Sequence, residues 1–444
     1  MFIKIFKVSI LVILLAGLLV GYLYWDESRK YPKPGWSTNE RSTIASLWLG
    51  NLYELPEDPS NTVADDTAAA RLGQQIFFDK RFSGNGEVAC VSCHDPDLYF
   101  TDGKALSVGM GVTGRSAPTI VGTAYHPFIF WDGRADSQWA QALGPMESVV
   151  EHGGSRMQYV HLIASDPEYS QAYESLFGSL PDLSDQSRFP AQAGPIDNPA
   201  DPALKTKWEA MSEADRKTAS QIYANLGKAI AAYERLLIPG RSRFDAYARA
   251  VIDETENEID ALSHDEIDGL RLFIGKGRCI ECHNGPLFSN DSFANIGTPQ
   301  REGVPFDFGR SRGAVKVMKD QFNCTGEFSD AEPMACSELR FIKRFGDDLI
   351  GAFKVPGIRN VTATAPYMHA GQFRDLDEVM EHYNKAPAPP FGHSMLTRLD
   401  LEQEQLDKIV RFMESLDSEI DAEPQWLKAP EESHTTTQTF DQVK

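Results

Sequence analysis

The sequence predicts a mainly helical chain in which two related domains stand in tandem behind an N-terminal membrane anchor. Three observations predict it. Apolar residues recur at helical spacing, and few segments alternate with the period of two that a strand requires. A set of short segments occurs twice in the same order. One long apolar run lies close to the N-terminus.

Residues 1–25 form the predicted anchor. Lys4 and Lys7 precede a run from Val8 to Trp25 in which Ser9 is the only clearly polar member. At about 1.5 Å per residue such a run spans roughly 27 Å, close to the hydrocarbon thickness of a bilayer. A cleaved signal peptide is the alternative. It usually has a shorter apolar core and a small-residue cleavage site, and Tyr22, Trp25, Asp26 and Glu27 offer none. Either way the rest of the chain is expected outside the inner membrane, in the periplasm, with no further span.

Residues 26–60 are rich in proline, asparagine, serine and charge, and read as a linker. Two domains follow, 61–240 and 241–420. Ser212-x-x-Asp215 starts a helix with Ile222, Leu226, Ile230, Tyr233 and Leu237 on one face. Ser263-x-x-Glu266 starts another, with Ile267, Leu270 and Phe273; Asp400 opens a last one, with Leu406, Ile409, Met413 and Leu416. Residues 421–444 carry proline, glutamate and a threonine run and read as a disordered tail.

The repeat supports the tandem division. Leu72 to Phe77 precedes Cys90-Val-Ser-Cys93-His94, and Leu270 to Ile274 precedes Cys279-Ile-Glu-Cys282-His283. Ala117-Pro118-Thr119-Ile120 then leads to Trp131-Asp132-Gly133, and Val355-Pro356-Gly357-Ile358 to His369-Ala370-Gly371. The spacing from proline to aromatic ring is the same in both copies, from Pro118 to Trp131 and from Pro356 to His369.

The two C-x-x-C-H motifs carry the chemistry. Two thiols add to the vinyl groups of one haem, and the adjacent histidine is held under the iron. Cys90, Cys93 and His94 would serve one covalent haem c, and Cys279, Cys282 and His283 a second. Zinc ribbons set their paired cysteines about 15–20 residues apart, whereas these motifs lie in different halves of the chain, one starting at Cys90 and the other at Cys279. A thioredoxin-like pair has no use for the histidine. The expected fold is therefore two cytochrome c-like domains. Cys324 and Cys336 lie close together in an exported loop and are expected to form a disulfide. The net charge of -21 argues against nucleic acid, which needs basic surface. It suits attraction of a basic protein partner, and equally mere solubility.

A c-type haem with both axial positions filled passes electrons; with one open it can bind peroxide. The motifs alone leave that choice open. Residues from about 65 to 418 resemble the bacterial di-haem cytochrome c peroxidase and MauG family. The resemblance runs through Phe130-Trp-Asp-Gly-Arg134, Gln141-x-x-Gly-Pro145, Phe353-Lys-Val-Pro356, Arg359-Asn-Val361 and Thr364-Ala-Pro-Tyr-Met-His369.

The resemblance implies a peroxidatic first haem with Glu151 and Gln141 in its distal pocket, and Trp131 between the haems as an electron relay. A carboxylate near the iron can take a proton from bound peroxide and return it to the leaving oxygen. Without the resemblance, Glu151 reads as a solvated charge before Gly153-Gly154, and Trp131 as a buried aromatic. His369 and Arg359 would serve haem propionates.

Three positions depart from the family pattern. Met110 stands where many members carry a histidine that caps the first iron, so it either ligates that iron weakly or leaves it open. Tyr383 stands where peroxidases place a methionine ligand of the second iron, as in MauG-like members; Met380 and His382 are the local competitors. A phenolate would stabilise oxidised iron more than a thioether. The family's calcium site would use Ser116, Thr364 and Pro366, with Ser116 replacing an asparagine and weakening it.

The function expected is peroxide reduction at the first haem, with electrons supplied through the second by a small cytochrome c or cupredoxin. The alternatives are a MauG-like enzyme oxidising side chains of a partner protein, and a non-catalytic electron carrier.

Overall fold

The computed structural model describes residues 35–255 and 259–430. The apolar run at 8–25 and the end of the expected tail lie outside them. Among the described residues no helix is long and apolar enough to cross a membrane.

The chain is mainly helical, with 3-10 turns and four two-residue strands between the helices. In order the helices are α1 (Thr38–Leu47), α2 (Thr67–Phe78), α3 (Gln138–Glu147), α4 (Arg156–Ser165), α5 (Pro167–Phe177), α6 (Ala203–Ala210) and α7 (Glu213–Glu234). They continue with α8 (Arg243–Asp253), α9 (His264–Ile274), α10 (Arg310–Lys319), α11 (Ser337–Arg340), α12 (Leu376–Lys385) and α13 (Gln403–Glu414).

Side-chain caps fix the helix starts. Asp66 accepts from the amides of Ala68 and Ala69 at the head of α2. Ser212 accepts from the amide of Asp215 at α7. Ser263 and Glu266 form a full capping box at α9. The last helix starts later than its sequence implies: Glu402, with Gln405 reaching back, caps α13, and Asp400 lies outside it.

Two helix crossings organise the core. Helix α2 crosses α7 so closely that a Cβ on Gly73 would lie 1.9 Å from the carbonyl oxygen of Ala229. Helix α9 crosses α13 in the same way, with Gly269 against the carbonyl of Lys408 at the same 1.9 Å. One apolar cluster gathers Leu72, Ile76, Trp139, Tyr223, Leu226 and Ile230 around the first crossing. Another gathers Phe244, Leu270, Phe273, Phe288, Ile409 and Phe412 around the second. All the face residues expected of α7, α9 and α13 are buried.

Two expectations are corrected. The segment 26–60 is not simply a linker. From residue 35 onward it folds, with Ser37 and Glu40 boxing the start of α1. Trp36, Ile44 and Leu47 are buried in the second cluster, and the indole of Trp36 donates to the Tyr247 hydroxyl at 2.7 Å. Three apolar residues at helical spacing outweigh the polar composition around them. At the other end, residues 421–428 are ordered. The two-residue strand Ile420–Asp421 pairs antiparallel with the strand Ile238–Pro239. Trp426 is buried against Tyr233, whose hydroxyl donates to the Trp426 carbonyl at 2.7 Å. Gln74 adds two bonds, to the carbonyls of Gln425 and Lys428. Each end of the described chain thus packs on the core formed mainly by the opposite part of the sequence.

Cys324 and Cys336 are joined as a disulfide, with their Cα atoms 5.7 Å apart.

Candidate functional site

The two C-x-x-C-H segments have the same local structure. Cys90–Ser92 and Cys279–Glu281 are single 3-10 turns. The histidine amide then bonds back to the first cysteine carbonyl, His94 to Cys90 at 2.9 Å and His283 to Cys279 at 2.8 Å. Each imidazole turns its Nδ1 to a carbonyl, His94 to Phe100 and His283 to Phe288, both at 3.0 Å. Facing an acceptor, Nδ1 carries the proton and Nε2 keeps its lone pair for a metal. Burial pushes the basicity of both rings down, which keeps them neutral.

The four motif cysteines are free. Burial pushes their thiols up, Cys93 to about 11 and Cys279 to about 12, so they persist as thiols. That suits addition to an apolar ligand better than thiolate coordination of zinc.

His283, Cys279 and Cys282 line a cavity of about 420 Å³, within the size range of cofactor sites, with mostly apolar walls. Tyr383 and Met380, from α12, line the same cavity. His382 does not: its Nε2 contacts the carbonyl of Ile296 at 2.8 Å. The Tyr383 hydroxyl makes no hydrogen bond among the described residues. Burial first, and then the neighbouring Cys279 and Cys282, push its phenol well above the ordinary range. A free cysteine pair, a metal-ready imidazole and an apolar cavity together fit a covalently held haem.

Trp131 forms a wall shared by this cavity and a second of about 100 Å³, which also meets Tyr99, Pro118, His126 and Lys354. Its indole donates to the Ser116 carbonyl at 3.1 Å, and its own carbonyl accepts from the Lys354 amide at 2.8 Å. Ser116, Thr364 and Pro366 all border the larger cavity. The Ser116 hydroxyl is already engaged, donating to the Met368 carbonyl at 3.1 Å.

Glu151 lies on the side of the first motif. Its charge acts on Cys93, His94 and the buried His152. Its carbonyl accepts from the Met110 amide at 2.8 Å, and Val150 accepts from Gly111 at 3.0 Å. The glycine-flanked Met110 loop is thereby laid along residues 150–151, with the methionine side chain against Gly153. Gly109 permits this approach, because a Cβ there would sit 2.4 Å from the Glu151 carbonyl oxygen. Gln141 is buried in α3 and does not hydrogen-bond Glu151.

His369 is on the larger cavity's wall, its ring stacked on Phe353 at 3.7 Å, and burial brings it down to about 4. Arg359 is spent elsewhere. It pairs with Asp245 at 2.8 and 3.0 Å and donates to the carbonyls of Pro286 and Leu47. The expectation that it serves a propionate is corrected accordingly.

Two helices are in matching register. Ser137 caps α3 six residues after Trp131, and Asp375 caps α12 six residues after His369; each helix is 10 residues long. Where α12 presents Tyr383, α3 carries Pro145. Where α3 carries Gln141, α12 presents Val379 to the cavity.

Comparisons with known proteins agree with this architecture. The family described as di-haem cytochrome c peroxidase matches residues 67–252. The cytochrome-c peroxidase IdrP1 of Denitromonas iodatirespirans is 31% identical over 374 residues, covering 83% of this chain and 86% of that protein. The chain belongs to the di-haem cytochrome c peroxidase family. Another relative, the methylamine utilization protein MauG of Methylorubrum extorquens, is 29% identical over 369 residues, 82% of each. Among solved structures, a MauG-like protein associated with microbial copper homeostasis shares the fold. It has a TM-score of 0.57 and 23% identity, with 86% of this chain and 98% of that chain covered. In this di-haem peroxidase family the two motifs are consistent with two c-type haems.

Sequence reasoning missed two buried ionisable groups. Lys354 is brought down to about 8 by burial, with Asp291 at 3.9 Å and His126 in turn 2.5 Å from Asp291. Glu234 is raised to about 8 by burial. A carboxylate directly after the apolar Ala229-Ile230-Ala231-Ala232-Tyr233 run was the available signal for the second.

Proposed function

We propose that the chain is a periplasmic di-haem oxidoreductase that activates hydrogen peroxide beside the first motif and exchanges electrons through the second. Two haem domains, 61–240 and 241–420, would do this, held at the membrane by residues 8–25 or released by cleavage. The observation that carries the reading is the matched pair of helices. In the second half α12 offers Tyr383 to the cavity; in the first, α3 offers Pro145, which has no donor atom. An iron held at the first motif would receive no ligand from Pro145, and Glu151 stands on that side of the motif.

Each haem, when bound, supplies an iron that either takes peroxide at an open position or passes electrons with both positions filled. Nε2 of His94 and of His283 would hold the proximal positions. Glu151 takes a proton from the bound substrate oxygen and returns it to the leaving oxygen. Gln141, at the register of cavity-lining Val379, would hold the leaving water. Trp131, in the wall between the cavities, offers an indole through which an electron can pass. Met110 is tied by its amide to Glu151 and would cap or clear the first site. The electron source would be a small cytochrome c or cupredoxin.

Tyr383 favours a second reading, in which the oxidised enzyme acts on a side chain of a partner protein. The free Tyr383 hydroxyl faces the cavity that holds His283. A cation there would release its proton despite burial, and a phenolate stabilises oxidised iron. Redox titration and electron paramagnetic resonance of Tyr383→Phe and Tyr383→Met test this. The second-haem signal should change in both, and the methionine variant should rise in potential and require reduction before reacting with peroxide. An unchanged signal in Tyr383→Phe assigns the ligand to Met380 and removes the second reading. Two low-spin haems at every potential would instead mark an electron carrier.

A further inference from the structure

We propose that Glu234 takes up a proton when an electron arrives at the first haem, and so couples that haem's reduction potential to pH. The proposal rests on haem attachment at Cys90 and Cys93.

Glu234 ends α7 and is 4% exposed. Among the described residues the carboxylate's one hydrogen-bond contact is Nε2 of Gln138 at 3.5 Å, at the outer limit for such a bond. That amide has a better acceptor in the Thr123 hydroxyl at 2.9 Å. No ion pair reaches the carboxylate among the described residues. The charged neighbours are committed elsewhere. Arg235 pairs with Asp65 and Lys228 with Asp330. Glu147 of α3 pairs with Arg156 of α4, and Arg71 of α2 is exposed. The ionisable groups that feel Glu234 are Cys90 and Tyr233. Haem attachment converts the Cys90 thiol to a thioether, and the Tyr233 hydroxyl is bonded to the Trp426 carbonyl.

An ionised carboxylate in this setting lacks compensation and is costly. Burial already raises it to about 8. An added electron nearby raises it further, because like charges in a poorly screened interior repel. The balance is simple: ferric haem with Glu234 carboxylate, plus one electron from the donor and one proton from solvent, gives ferrous haem with Glu234 carboxylic acid.

The second half shows why Glu234 is near enough to matter. Gly73 meets Ala229 as Gly269 meets Lys408. Five residues beyond each contact lie Glu234 and Met413, preceded by the aromatic pair Tyr233 and Phe412. Met413 lines the cavity of about 420 Å³. Glu234 thus holds, in the first half, the position that faces the haem cavity in the second, with an acid in place of a thioether. The coupling should belong to the first haem alone. Glu234 acts here as a positioning residue, through the haem's charge.

The test is a spectroelectrochemical titration of the two-haem protein from about pH 6 to about pH 10. The first-haem potential should be flat at low pH. Above a pH near 8 it should fall by about 59 mV per tenfold drop in proton concentration. Glu234→Gln should abolish that slope, Glu234→Asp should keep it, and Met413 predicts no such slope at the second haem. A flat first-haem potential in the wild type, or a slope that survives in Glu234→Gln, overturns the proposal. Wild-type protein reduced in unbuffered solution with a pH-indicator dye gives a reading free of mutation. Uptake of about one proton per first-haem electron near pH 9 supports the assignment, and none refutes it. A haemochrome assay returning a single haem per chain would instead remove the reading beneath it.

Discussion

Replacing Gly73 or Gly269 by alanine inverts an ordinary rule. In a helix interior the change should stabilise by about 1 kcal/mol, because glycine is the poorer helix former. Both positions instead meet a backbone carbonyl, where a Cβ would lie 1.9 Å from the oxygen of Ala229 or Lys408. Ordinary contact begins at 3.4 Å, so one helix must retreat far enough to open the separation from the first distance to the second. A carbonyl cannot rotate out of the way as a side chain can. Overpacking costs about 1–3 kcal/mol, and a rigid backbone contact puts this case at the upper end. The net loss is then about 2 kcal/mol, or roughly 4–8 °C in thermal midpoint for a domain of this size. The two positions should suffer alike, since a further carbon would lie at 2.9 Å from the new Cβ in each, the Ile230 Cα beside Gly73 and the Phe412 Cβ beside Gly269. Thermal unfolding followed by circular dichroism measures this. An unchanged or raised midpoint in both variants would refute the claim that these crossings set the scaffold.

Three further outcomes are expected. A pyridine haemochrome assay should give two haems per chain, neither extracted by acidified acetone. Glu151→Gln should lower peroxide turnover by about 10²- to 10⁴-fold, the usual worth of a general acid–base group, and leave both haem spectra intact; near-wild-type turnover would remove Glu151 from the mechanism. Asp136→Asn should stabilise the protein at pH 7. Burial, with Asp320 and Asp58 nearby, raises Asp136 from 3.8 to about 6, so the folded state binds more protons between those values and loses stability as pH rises through them. At about 1.4 kcal/mol per pH unit the gain is at most about 3 kcal/mol. Chemical denaturation at pH 7 and below pH 4 should find the difference at the first and none at the second.

Contiguous chemistry was legible in the sequence. Two thiols and a histidine must be neighbours to hold one haem, so five residues announce each attachment site. The helical faces of α7, α9 and α13 were legible for a similar reason, since periodicity is local. Gly73 and Gly269 were not, because the carbonyls that define their role, on Ala229 and Lys408, belong to helices far along the chain. Trp36, Ile44 and Leu47 sat in a polar stretch and needed Tyr247 and the second cluster to explain them. The start of α13 was misplaced because Asp400 and Glu402 are both capable caps, and the reciprocal bond from Gln405 decides between them. Arg359 looked like an anion-binding residue, and only the fold revealed Asp245 as its partner.

The two halves share what builds the scaffold and differ where a haem would be met. Gly73 and Gly269 keep the helix crossing, and Ser137 and Asp375 start their helices at equal distances from Trp131 and His369. At matched positions the second half has Val379, Tyr383 and Met413, all lining its cavity. The first half has Gln141, Pro145 and Glu234. Each difference has the direction that the proposed peroxide chemistry needs. A phenol is replaced by a ring with no donor atom, an aliphatic wall by an amide that can hold water, and a thioether by an acid that can carry a proton. One pair could arise by drift alone. Three at matched positions, on a backbone whose other requirements are kept, are what the proposed division of labour between an open first site and a closed second one predicts. Exchanging Pro145 and Tyr383 between the halves would test that division directly. A tyrosine at 145 should give the first haem a sixth ligand and a low-spin spectrum and suppress peroxide reactivity. A first haem that stays high-spin and reactive would mean that α3 does not face its iron.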